Sequence, residues 1–230
     1  YLLYLLYLLY LPLPPFTSLY LPLPPFTSYF CIMSIWQSIL QLDRELFTLI
    51  NYKGSSEFLD TILPFIRESQ FWVPFYLFLL VFSTLNFGAK GWWWSLGFIL
   101  VAALCDITSS QLIKENIFRL RPCHNTMLAD HLIFRVKYCP KSSSFTSSHA
   151  TSHFGLAMFI YLTFGKLSKW WGLIFIWPVA ICYAQVYVGV HYPIDVIAGG
   201  FVGCIIGIAM AYLFTKQIGL INFDHQPGVK

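Results

Sequence analysis

The sequence predicts an all-α fold: a polytopic membrane helix bundle of about five transmembrane helices, preceded by an interfacial amphipathic helix. Three observations predict it. Hydrophobic residues make up 57% of the 230 residues and charged residues only 10%, whereas a soluble domain carries about 25% charged residues. The mean hydropathy is +0.66. Five stretches of about 20 residues contain at most one Asp, Glu, Lys or Arg, the length a helix needs to cross a bilayer. Fourteen basic and ten acidic side chains cannot cover a water-soluble globule, which excludes an ordinary cytosolic enzyme and a disordered chain. The net charge of +4 is too small for a nucleic-acid binder built on a basic face.

The chain opens on repeats. Residues 1–10 repeat Tyr-Leu-Leu, and the ten residues LYLPLPPFTS at 9–18 recur at 19–28. Six of the 13 prolines fall here, and each removes a backbone donor and blocks a helix. Two readings are open, a hydrophobic anchor or low-complexity sequence upstream of a start at Met33. The second is the expectation, so residues 1–32 are set apart and residues 33–230 are expected to suffice for activity.

Residues 33–68 form the interfacial segment. Within 35–52, Ile39, Leu40, Leu42, Leu46, Phe47, Leu49 and Ile50 recur at helical spacing around Asp43, Arg44 and Glu45. Three adjacent charges are too polar to span, so the helix is expected to lie along the interface. The spans then follow at 69–89, 91–113, 142–165, 170–194 and 196–215, giving a membrane domain of 69–215 and a tail of 216–230. In lipid their backbone groups are satisfied only within a helix. Trp92, Trp93, Trp94, Trp170 and Trp171 stand at span ends, as an interfacial aromatic belt would.

Alternating five spans places three polar clusters on one membrane face. In the first, Lys114 is followed after six residues by Arg121-Pro122, with Arg119 between them; a point charge and a planar fork together suit an anion of several oxygens. In the second, the hydroxyl run from Ser142 to Ser148 ends at His149, ahead of an apolar stretch. Hydroxyls there cap a helix whose free N–H groups attract an anion, and His149 can serve as a general acid. His149 and His153 stand four apart like zinc ligands, but no Glu lies between them and no third ligand is evident, so no metal is expected. The third cluster is His191-Tyr192-Pro193-Ile194-Asp195. Pro193 can open a helix, and a carboxylate four residues after His191 can accept the Nδ1 proton, leaving Nε2 as a nucleophile.

Taken together, the clusters resemble the type 2 phosphatidic acid phosphatase family, relatives of the vanadium haloperoxidases. That family shows Lys, six residues, Arg-Pro; then Pro-Ser-Gly-His; then Ser-Arg, five residues, His, three residues, Asp. Lys114, Arg121 and Pro122 match the first, Ser147 and His149 the second, and His191 and Asp195 the third. Thr146 and Ser148 replace the Pro and Gly, and Ala184-Gln185 replaces Ser-Arg, so one phosphate-binding Arg is missing. The resemblance covers about residues 112–200.

The resemblance implies that His191 forms a phosphohistidine, Asp195 orients its ring, and His149 protonates the leaving oxygen. Lys114, Arg121, Ser147, Ser148, Gln185 and Arg119 would bind the phosphate, with no metal or other cofactor. The implied substrate is a lipid phosphate met in the bilayer. Undecaprenyl diphosphate comes first, with phosphatidic acid and phosphatidylglycerophosphate after it. The competing class is a non-catalytic lipid-phosphate binder or transporter component, for which Gln185 is the best argument. The implied place is a multi-pass position in the cell (inner) membrane, with the site on the extracytoplasmic face. Opposite it, Lys90, Lys166, Lys169, Lys216 and Lys230 face a single Asp224, as the positive-inside rule expects. Cys123 and Cys139 lie in the catalytic-face loop, as two free thiols or, in an oxidising compartment, as a disulfide.

Overall fold

A computed structural model describes residues 26–220. The chain divides into two compact units, Tyr1–Ile39 and Leu40–Lys230. The described part of the first is helical, so the helix α1, Phe26–Thr48, already covers residues 26–32 of the segment set apart above; the rest of the repeats and residues 221–230 of the tail lie outside the described residues. Everything below concerns the second unit.

There α1 ends and runs on as a π-helical turn, Leu49–Lys53. The face of this helix turned to the protein is mixed. Asp43, Phe47 and Asn51, four residues apart, are buried, while Leu42, Leu46 and Leu49 are exposed. Asp43 turns inward because Arg119 and the Ile194 N–H bind its carboxylate. The short helix α2, Glu57–Ile66, is capped by the Ser56 hydroxyl accepting the Leu59 N–H.

Among the described residues, four helices are long and apolar enough to cross a membrane: α3 (Ser69–Phe87), α4 (Ala89–Ile113), α6 (Lys169–Tyr187) and α7 (Pro193–Gln217). The remaining expected span is the shorter α5, Ser148–Phe164, of 17 residues. Its helix starts six residues later than expected, because residues 142–147 are loop. Leu77, Phe78, Val81, Leu85, Ile99, Leu100, Ile197, Phe201 and Ile205 are exposed on α3, α4 and α7, a surface suited to hydrocarbon rather than water.

The core of the unit is aromatic. Trp94 stacks on Phe164 with ring centroids 4.5 Å apart and gives its indole N–H to Thr163 Oγ1 at 2.8 Å. It is therefore a core residue and not part of the belt, whereas Trp92, Trp93 and Trp170 are exposed as expected. Helix periodicity separates Trp94 from its two neighbours by turning it to the inner face. α5 lies against α7 along its length, and Gly203 permits the approach: a Cβ there would strike the Thr151 carbonyl. Small residues at such a crossing let the two backbones meet in lipid. This contact brings the first turn of α5 beside the first turn of α7, where the polar clusters gather.

Candidate active site

The turn between α6 and α7 is made possible by Gly189, whose φ of +89° side chains rarely tolerate. The chain then presents His191 and enters α7 at Pro193, which suits a first helical position. Asp195, in that first turn, is wholly buried and serves two sets of donors. Oδ2 accepts the Ser144 hydroxyl and, at 2.9 Å, the Tyr192 N–H. Oδ1 accepts Arg119, whose other terminal nitrogen binds Asp43. The same guanidinium lies 4.3 Å from the centre of the Tyr192 ring. One arginine thus balances two buried carboxylates and ties the end of α1 to the start of α7.

His191 lies between this carboxylate and Arg121. Its Nδ1 is 3.7 Å from Asp195 Oδ2 and 3.5 Å from Ser144 Oγ. Its Nε2 is 3.1 Å from Arg121 Nη1, which also donates to the Val190 carbonyl. A donor at Nε2 requires a lone pair there, so the proton sits on Nδ1, toward Asp195. Burial pulls the imidazole down to about 4, reinforced by the Arg121 charge and opposed by Asp195. At neutral pH His191 is unprotonated at Nε2.

The Lys114–Ser147 loop is organised around Arg121, which is 4% exposed. Its Nε donates to the Ser142 carbonyl and its Nη2 to the Ser142 hydroxyl and the Ser143 carbonyl. Burial draws its pKa below the usual arginine value, with Asp195 opposing; a guanidinium stays charged regardless. Ser147 caps α5, accepting the Ala150 N–H, and gives its own N–H to the Asp195 carbonyl at 3.1 Å. The starts of α5 and α7 are therefore locked together.

Lys114 Nζ donates to Ser148 Oγ at 2.7 Å. Ser148 also meets Ser110, which donates to Asp106, so Asp106 reaches the lysine through two hydroxyls. Burial, helped by Arg121, pulls the ammonium down to about 8. His149 Nδ1 lies 3.4 Å from Ser69 Oγ. His153 has both ring nitrogens occupied, by Tyr76 OH at 2.8 Å and by the His149 carbonyl at 2.7 Å, which makes it a packed helix residue.

The structure thus gathers Lys114, Arg121, Ser147, Ser148, His149, His191 and Asp195 at one end of the bundle. Two expected phosphate ligands stand elsewhere. Arg119 faces the far oxygen of Asp195 and is already matched by two carboxylates. Gln185 is buried on α6, giving its amide to the Arg67 carbonyl at 3.4 Å. Arg135, in the same loop, binds Asp60, Ser55 and the Tyr187 carbonyl and stacks on the Tyr187 ring. Cys123 and Cys139 are joined in a disulfide. They and His124 are the one metal-ligand grouping among the described residues, and the disulfide occupies two of its three donors. Sequence reasoning missed Asp43, Ser144 and Ser69. Only Ser144 carried a signal, as a member of the hydroxyl run.

A family model described as the PAP2 superfamily matches residues 91–219. A lipid A 4'-phosphatase of Porphyromonas gingivalis is 30% identical over 184 residues, which cover 78% of this chain and 76% of that protein. An undecaprenyl-diphosphatase of Sulfolobus acidocaldarius is 31% identical over 164 residues, covering 69% and 72%. Among solved structures, that of Aquifex aeolicus LpxE superposes with a TM-score of 0.58 at 26% identity, covering 74% of this chain and 95% of the other.

Proposed function

The chain belongs to the PAP2 superfamily as a multi-pass membrane member, and from that premise we propose that it hydrolyses the phosphate of a membrane lipid through a phosphohistidine on His191. One observation carries this reading: a buried imidazole with its Nε2 lone pair directed at Arg121 and its Nδ1 at Asp195. Binding alone needs cations but no nucleophile, which favours the enzyme over a non-catalytic binder.

The proposed reaction has two steps. His191 Nε2 attacks phosphorus as the bond to the lipid oxygen breaks, and His149 gives that oxygen its proton. Asp195, held by Arg119 and Ser144, stabilises the imidazolium side of the intermediate. Water then attacks phosphorus, passes a proton to His149 and releases inorganic phosphate, which restores His191. Arg121, Lys114 and the Ser147 and Ser148 hydroxyls face the equatorial oxygens, where fixed positive charge lowers the barrier in a dry site. These groups serve the charge without a metal or other cofactor. Arg119 we assign to positioning Asp195.

For the substrate, a lipid A-type phosphate monoester stands first, because the Porphyromonas relative matches over three-quarters of each chain. Undecaprenyl diphosphate, the expectation from the sequence, stands second and is supported by the Sulfolobus relative. We place the protein in the cell (inner) membrane with the site on the extracytoplasmic face; the Cys123–Cys139 disulfide in the site loop supports an oxidising side. The test is phosphate release from both lipids, phosphatidic acid and phosphatidylglycerophosphate. Purified protein is assayed in detergent with EDTA, and intact spheroplasts are assayed with short-chain substrate added outside. Release from lipid A first, undiminished by EDTA and visible in intact spheroplasts, is the expected result. No release from any lipid phosphate sinks the enzyme reading, loss with EDTA sinks metal independence, and release only after lysis reverses the orientation.

Lys114 adds a pH prediction. It is charged below about 8, so the phosphate site is complete at neutral pH and loses a cation as pH rises through that value. kcat/KM, which reports the free enzyme, should fall about tenfold per pH unit above that point, and Lys114→Arg should move the basic limb up by more than a unit. A limb that stays in place in Lys114→Arg belongs to another group.

A further inference from the structure

We propose that Arg67, at the end of α2, is a substrate-binding residue whose guanidinium takes the phosphate at the place where the neutral Gln185 leaves a charge missing. The inference rests on the phosphate chemistry proposed above. Four observations carry it. Arg67 is a mostly covered cation whose side chain is 11% exposed, and its Nε is shut away from solvent without a hydrogen bond. Glu68 Oε1 lies 3.1 Å from that nitrogen, but at an angle that makes no hydrogen bond, and its own side chain is half exposed. The pair therefore leaves the covered Nε unmet, and an unmet buried donor is costly.

The segment is also stitched to the site from two sides. The Arg67 carbonyl accepts the Gln185 amide at 3.4 Å, and Ser69, two residues on, lies 3.4 Å from His149. Gln185 gives one of its two amide N–H groups to that backbone contact and keeps a buried Oε1 with no partner, so it offers the phosphate no charge and has one donor already in use. Finally, Arg67 lines a cavity of about 420 Å³ together with Glu68, Lys137 and Tyr138. The Arg67–Ser69 segment thus borders that cavity through Arg67 and meets the reacting groups through Ser69 and His149. A phosphate entering by the cavity would meet Arg67 in bidentate geometry, the arrangement a guanidinium favours.

The experiment measures binding of inorganic phosphate to the purified full chain by calorimetry, alongside phosphate release from lipid A. Arg67→Gln should weaken phosphate binding at least tenfold. Arg67→Lys, which keeps the charge and loses the fork, should fall between it and the parent. Adding Gln185→Arg to Arg67→Gln should recover most of the loss, because the charge returns from the neighbouring side chain. Phosphate affinity within twofold of the parent in Arg67→Gln overturns the assignment, as does a Lys variant no better than Gln, or a parent that binds no phosphate. If Arg67→Gln does not fold, Arg67→Lys decides alone: a loss of threefold or more supports the role and an unchanged affinity overturns it. A parent that binds phosphate through Arg67 but hydrolyses no lipid leaves this assignment standing while removing the hydrolase reading.

Discussion

His191→Ala is expected to lower phosphate release by about four orders of magnitude or more, roughly 5.4 kcal/mol of transition-state stabilisation. The size follows from the role: without the nucleophile no phosphoenzyme forms, and water alone must attack a phosphate dianion. The buried ring is held toward Asp195 on one side and Arg121 on the other, and no second imidazole among the described residues shares that setting. His149 belongs to a different helix and meets Ser69. A rapid quench with phosphorus-labelled substrate should trap label on the protein that survives base and is lost in acid, as a phosphoramidate does. The label should be absent in His191→Ala. In His149→Ala, with a substrate whose leaving group needs no acid, it should accumulate, because the water attack has lost its base. Substantial turnover in His191→Ala would sink the mechanism, and so would loss of parent activity in EDTA with rescue by zinc.

The residues that the sequence made legible are those whose neighbours along the chain already define their setting. Lys114 and Arg121 follow the end of α4, Ser147 and His149 open α5, and His191 and Asp195 flank Pro193 at the start of α7. Each lies within a turn or two of a helix boundary, where capping residues, proline and the loss of apolar pattern are all local signals. The membrane bundle was legible for the same reason, since each span is a local run. The start of α5 was misplaced because residues 142–147 lack charge and so read as span, although Ser143 and Ser144 spend their hydroxyls on the Ile117 carbonyl and on Asp195.

What stayed hidden depends on partners far along the chain. Asp43, beside Arg44 and Glu45, reads as one charge of a solvated face; its burial is decided by Arg119, 76 residues away. Arg67 is one of two adjacent opposite charges before α3, and only the approach of α6, through Gln185, ties its carbonyl to the bundle. Arg119 was legible as a cation near the phosphate motif but not in its direction. Composition and spacing cannot say which of two neighbouring arginines turns to the carboxylates and which to the histidine.

That division of labour has a large expected consequence. Arg119→Met keeps much of the side-chain volume but leaves Asp43 and Asp195, both about 1% exposed or less, without their shared cation. Removing one member of a buried ion pair costs about 3–5 kcal/mol, because a charge is left without compensation. Here one arginine serves two carboxylates, so the loss should reach the upper part of that range and appear as a lower unfolding midpoint in detergent. Turnover should fall at least a hundredfold, since Asp195 loses the contact that holds Oδ1 while Oδ2 faces His191. Adding Asp43→Asn to Arg119→Met should recover part of the stability, by removing one orphaned charge, but little of the turnover, because Asp195 Oδ1 still lacks its cation. The opposite pattern identifies a different role: stability within about 1 kcal/mol of the parent, together with weaker phosphate inhibition, would return Arg119 to the phosphate ligands. The two variants thus separate a residue that acts through Asp195 from one that touches the substrate.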